Sequence, residues 1–131
     1  MKNIPSLPYT KTYTRETTWE QTAAALGNPG VNVISTPHLI GEIEFACTFN
    51  VMPFYDEDDA TVGTHVCVDH LAAAVVGKPI EIEATLEAID RRRLHFQATI
   101  TQDGKEIMKG RHDRFIVSKA KFEAMGKAPT H

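Results

Sequence analysis

A chain of 131 residues with 42% apolar and 24% charged residues has about the length of one domain and the composition of an ordinary globular protein. A net charge of −3 gives no support for a nucleic-acid or anionic-membrane partner, and no apolar run reaches the roughly 18 residues of a transmembrane helix. Met1-Lys2-Asn3-Ile4-Pro5 leads into no apolar h-region, and Cys47 and Cys67 form neither a metal-type pair nor a disulfide framework, so a cytoplasmic protein with reduced thiols is expected.

In chain order, residues 1–10 carry Pro5 and Pro8 and read as a loose arm. Lys11 to Glu20, rich in threonine with Tyr13 and Trp19, reads as a strand. Ala23-Ala24-Ala25-Leu26, followed by Gly27-Asn28-Pro29-Gly30, reads as a short helix and a mobile loop. The main helix is expected to begin with Thr36 as N-cap and Pro37 in the first helical position, and to run to about Val51 before Pro53. Leu39, Ile40, Ile43, Ala46, Cys47 and Val51 cluster on one side, with Phe45 and Phe49 on the other, the pattern of a buried helix.

Asp56-Glu57-Asp58-Asp59 is an acidic loop without the glycine and spacing of a calcium site. Strands are expected over Ala60–Leu71, Pro79–Ile89, Arg92–Gln102 and Lys105–Val117. Ile80, Ile82, Ala84, Leu86 and Ala88 alternate with polar residues, as do Leu94, Phe96, Ala98 and Ile100, the signature of antiparallel strands with one buried face. Asp103-Gly104 marks a hairpin, and Ser118 caps a short last helix ending near Gly126. The sum is one α+β domain over residues 1–131, a five-stranded antiparallel sheet wrapped around one long buried helix, with a loose tail at 127–131.

Three polar residues stand in places that suit chemistry. With the helix stripe centred on Cys47 and Ile43, Glu44 lies roughly 80° from centre and Glu42 roughly 120° away. Glu44 is therefore the better partly buried carboxylate, sharpened by burial as base or nucleophile; the alternative is a surface glutamate in an ion pair. His70 shares the parity of Val62, Thr64, Val66 and Val68, whereas His65 has the opposite parity. That makes His70 the candidate acid/base, against a core-edge histidine bonded to a backbone carbonyl. Thr36 has a structural job as a cap, and a helix start also offers free N–H groups to an oxyanion. Eight helical residues separate Thr36 from Glu44 by about 12 Å along the axis. Either the helix starts late, near Gly41, or Thr36 of one subunit meets Glu44 of another.

Arg91-Arg92-Arg93 at a hairpin is a candidate grip for ligand phosphates or a solvated turn. His38, His95 and His112 read as ordinary polar positions, and Arg114 as a structural ion-pair partner.

The chain resembles a known family in Ser35-Thr36-Pro37, Glu44-Phe45-Ala46-Cys47, Thr61-Val62-Gly63-Thr64, Val68-Asp69-His70-Leu71-Ala72-Ala73, Asp90-Arg91-Arg92-Arg93-Leu94 and Gly110-Arg111-His112-Asp113-Arg114. In this order they are similar to the fluoroacetyl-CoA thioesterase-like branch of the hotdog superfamily, over residues 30–122. The resemblance implies a hotdog fold, a homodimer, and hydrolysis of a small or medium acyl-CoA without metal or prosthetic group. It implies catalytic roles for Thr36, Glu44 (nucleophile or general base) and His70. Ser35, Gly63, Arg91, Arg92 and Arg114 are the candidate substrate-binding positions. Asn28-Pro29-Gly30-Val31-Asn32-Val33-Ile34 has no phenylalanine where the family's namesake has an aromatic lid, so selectivity for a fluorinated acyl group does not carry over. Enoyl-thioester hydration and non-catalytic acyl-CoA binding are the alternatives.

Overall fold

A computed structural model describes residues 1–129; the last two residues of the expected tail lie outside the described residues. The elements are β1 (Tyr9–Arg15), α1 (Thr36–Val51), β2 (Asp59–His70), β3 (Ile80–Asp90), β4 (Arg93–Gln102), β5 (Lys105–Ser118) and α2 (Lys119–Glu123). The strands form one five-stranded sheet in the order β1-β3-β4-β5-β2, and every neighbouring pair is antiparallel.

The alternation sets this architecture. Ile80, Ile82, Ala84 and Leu86 of β3, with Leu94, Phe96, Ala98 and Ile100 of β4, are each no more than 2% exposed and face α1. Leu39, Ile43, Ala46, Cys47 and Val51 of α1 pack into the same core at 0% exposure. Each large side chain sealed in this way stabilises the fold by roughly 1.5–3 kcal/mol relative to leaving it in water. Asp103 and Gly104 take φ values of 51° and 77°, the left-handed pair of a tight turn between β4 and β5.

Several local expectations need correction. The first strand is Tyr9–Arg15 rather than Lys11–Glu20, because its residues pair only with β3 from Leu86 back to Ile80. Trp19–Gln21 is a short 3₁₀ turn. The alanine run forms turns instead of a helix; the N–H groups of Ala23 and Ala24 go to the carbonyls of Val33 and Val31. Residues 1–8 are not a free arm: Lys2 N donates to Phe54 O at 2.8 Å and Met1 packs on the core.

The acidic loop is spent on structure. Asp56 and Asp59 take the terminal amine at 3.0 and 2.9 Å, while Asp58 accepts from Ser118 Oγ and Ala120 N at the start of α2. Among the described residues, no helix is long and apolar enough to cross a membrane.

β2 is an edge strand carrying a bulge. Gly63 pairs with Arg114 and His65 with Asp113, so Thr64 is the extra residue. Gly63 and His70 are an odd number of residues apart and would otherwise face opposite sides. With the bulge, Thr61 and Gly63, and then Val66, Val68 and His70, all face α1. The single parity expected from Val62 to His70 therefore breaks at Thr64: Val62 belongs to the outer face.

Candidate active site

The helix start is one residue earlier than expected. Ser35 is the N-cap, its Oγ accepting from His38 N at 3.2 Å, and Pro37 takes the second helical position. That position also lacks an intrahelical acceptor, so proline is tolerated there. Ser35 is 4% exposed and committed to the cap, which argues against direct substrate contact. The shift frees the Thr36 side chain: Thr36 Oγ1 lies 2.7 Å from His70 Nδ1. Both residues are exposed. Whichever of the two donates, one donor stays free: His70 Nε2–H if threonine donates, or the threonine O–H if histidine does. His70 is held by the chain that follows it, where the N–H groups of Leu71 and Ala72 both reach Ile107 O.

Glu44 sits in a second cluster. Its Oε2 lies 3.7 Å from Arg114 Nη1, and its side chain is 47% exposed against 7% for Arg114. Arg114 is anchored by three further bonds: Nε to Thr61 Oγ1 (2.9 Å), Nη2 to Thr61 O (2.7 Å) and Nη1 to His112 Nε2 (3.1 Å). Tyr55 Oη lies 2.7 Å from Thr61 Oγ1 and extends the network. Gly63 borders it: a Cβ there would come within 2.9 Å of His112 Cε1 and 3.1 Å of Glu44 Oε2. A cavity of about 200 Å³ is lined by Glu44, Gly63, Thr64, His65, Val66 and His112. Cys47 lies beneath, its thiol pushed up to about 12 by burial and therefore held as the neutral thiol.

The expected ranking of the two glutamates is reversed. Glu42 is the buried one at 5% exposure, paired with Arg15 Nε at 3.1 Å, because β1 covers that side of α1. The buried ion pair thus belongs to Glu42, while Glu44, half exposed and 3.7 Å from Arg114 Nη1, matches the alternative of a surface glutamate in an ion pair.

The structure brings Thr36 to His70, and Glu44 to Gly63 and Arg114, but it does not bring the two groups together within one chain. α1 is a regular helix from Thr36, so a late start near Gly41 is ruled out. Arg91 and Arg92 sit at the β3–β4 hairpin around a cavity of about 310 Å³, with Arg91 at φ 57° and Arg92 Nε donating to Ile116 O. His112, Thr61 and Tyr55 were not anticipated as site residues. Alternation of His112 and Arg114 with Ile116 on β5 was the signal that could have found the first: all three are buried.

A five-stranded antiparallel sheet wrapped around one long helix is a hotdog fold. Solved structures of the fluoroacetyl-CoA thioesterase FlK superpose with a TM-score of 0.86 at 25% identity, covering 97% of this chain and 100% of that one. A Thermus thermophilus hypothetical protein of the thioesterase superfamily gives a TM-score of 0.85 at 29% identity, covering 95% and 92%. The family described as fluoroacetyl-CoA-specific thioesterase matches residues 17–120. A fluoroacetyl-CoA thioesterase of Streptantibioticus cattleyicolor is 30% identical over 98 residues, 75% of this chain and 70% of that protein. The chain belongs to the fluoroacetyl-CoA-specific thioesterase family.

Proposed function

We propose that this protein is a cytoplasmic homodimer that hydrolyses a small or medium acyl-CoA thioester at a site shared by two subunits. Thr36 and His70 come from one subunit, and Glu44, Gly63 and Arg114 from its partner. The observation that carries this reading is the separation of two exposed half-sites on one regular helix, about 12 Å apart along its axis. The outer edge of β2 supports it, because an unpaired edge strand is a template for a second copy. Two free cysteines suit a reducing compartment.

Glu44 adds to the thioester carbonyl carbon, or takes a proton from a water that does. The carbonyl oxygen becomes an oxyanion, met by the free donor of the Thr36–His70 pair and the N–H groups at the start of α1. The carbon–sulfur bond then breaks and CoA leaves as a thiolate, which needs little acid assistance. In the first route water splits the acyl–Glu44 anhydride. Arg91 and Arg92 supply charge for the phosphates of CoA.

The test follows free thiol release from an acyl-CoA panel. Thr36→Ala and Glu44→Gln homodimers are each expected to lose at least about 100-fold in kcat. Mixed dimers formed from the two variants contain one intact site, so a 1:1 mixture recovers about a quarter of wild-type activity. No recovery would sink the two-subunit site, and full turnover by Glu44→Gln would sink the assignment of Glu44.

A further inference from the structure

His112 is buried at 1% exposure, and both of its ring nitrogens are engaged. Nδ1 lies 2.9 Å from His65 O, a backbone carbonyl that can only accept. Nε2 lies 3.1 Å from Arg114 Nη1, a guanidinium that can only donate. The proton must therefore sit on Nδ1, and Nε2 must present its lone pair. A second proton would face the Arg114 guanidinium and has no acceptor. Burial, with Arg114 adding to it, holds the imidazole below its usual pKa, in agreement with this geometry.

We infer that His112 is a positioning residue: as a neutral imidazole of fixed tautomer, it keeps Arg114 turned so that Glu44 feels the charge without being hydrogen-bonded to it. The proposal rests on the reading of Glu44 as the reacting carboxylate. Arg114 Nη1 stands 3.7 Å from Glu44 Oε2, beyond hydrogen-bond reach, while one of its two N–H groups donates to His112 and fixes how far the guanidinium can turn. Thr61 holds Nε and Nη2. The carboxylate oxygens thereby remain unclaimed for the substrate or water. Without the Nε2 acceptor, Nη1 is released toward Glu44 and competes for the lone pair that reacts. The titratable groups around this network are Glu44 and Cys47 on α1, His65 on β2, Asp113 and Arg114 on β5, and Tyr55 beyond α1. Asp113 turns away, its Oδ1 2.9 Å from His95 Nδ1.

The experiment has two arms. Ring ¹⁵N shifts of His112 in the wild-type protein are expected to report the Nδ1–H neutral tautomer at neutral pH. A protonated or Nε2–H ring at neutral pH overturns the proposal whatever the variants do. In the kinetic arm, His112→Asn keeps a donor near His65 O but loses the acceptor toward Arg114, whereas His112→Gln places an amide oxygen near the Nε2 position. His112→Asn is expected to lower kcat by about 10- to 100-fold with KM changed less than about threefold. His112→Gln should recover at least about tenfold of that loss. A wild-type kcat in His112→Asn, or no difference between Asn and Gln, overturns the positioning role. Glu44→Gln run alongside separates the failures. If it is inactive while His112→Asn is normal, only this inference falls; if it is active, both readings fall.

Discussion

Two adjacent hydroxyls and two neighbouring glutamates divide their work in a way that single-residue reasoning half captured. Helical periodicity narrowed the carboxylate to Glu42 or Glu44, but the side that β1 covers is a long-range fact, and it put the buried ion pair on Glu42. The Glu42–Arg15 pair is asymmetric, with side chains 6% and 44% exposed. Removing the arginine strands a buried carboxylate, whereas removing the glutamate releases an already hydrated guanidinium. Arg15→Ala is therefore expected to destabilise the fold by about 1–3 kcal/mol, and Glu42→Gln by clearly less. Denaturant midpoints check this, and neither change should alter kcat. His112 was readable in principle, since it alternates with Arg114 and Ile116. Its role is not legible locally, because its partners His65 O and Arg114 Nη1 are brought to it by strand pairing and burial.

At the level of elements, alternation places β3 and β4 to within a residue, because each buries one face over most of its length; in β3 it stops at a bulge before Ala88, which is exposed rather than buried. β2 is placed to within one residue as well, but not its facing. It is an edge strand whose residues Gly63 to Cys67 are exposed, so burial gives little signal, and the extra residue at Thr64 has no mark in composition. The bulge accounts for how Gly63 reaches Glu44 while His70, further along the strand, reaches Thr36. Deleting Thr64 should realign the ladder with β5 and turn one half of β2 outward. The expected result is a folded sheet by circular dichroism with thiol release reduced at least about 100-fold. Retention of normal turnover would mean that the two half-sites do not depend on this register.

Across the whole molecule, the order of one strand, a helix and four strands was enough to reach the observed sheet around α1. Spacing on a regular helix alone sets the separation of Thr36 from Glu44. The second copy belongs to the proposed function, where it rests on the unpaired edge of β2. The same scale governs the cofactor-sized half of the substrate. Arg91 and Arg92 stand at a hairpin tip, and a paired Arg91→Ala/Arg92→Ala change is expected to raise KM for an acyl-CoA by about tenfold with kcat held. The same acyl group on a pantetheine lacking the nucleotide phosphates should show no such change. Equal effects on both thioesters would remove these arginines from phosphate binding.

The tandem Ser35-Thr36 has a consequence beyond placing one hydroxyl at His70. Either residue type can cap a helix, so the chain carries a spare. If Ser35 lost its hydroxyl, Thr36 could drop into the vacant role by letting α1 begin one residue later, and the helix would survive nearly intact. His70 would then lose its partner while the fold kept its shape. The redundancy that protects the architecture is thus a latent off-position for the chemistry, one residue of helix away from the working arrangement.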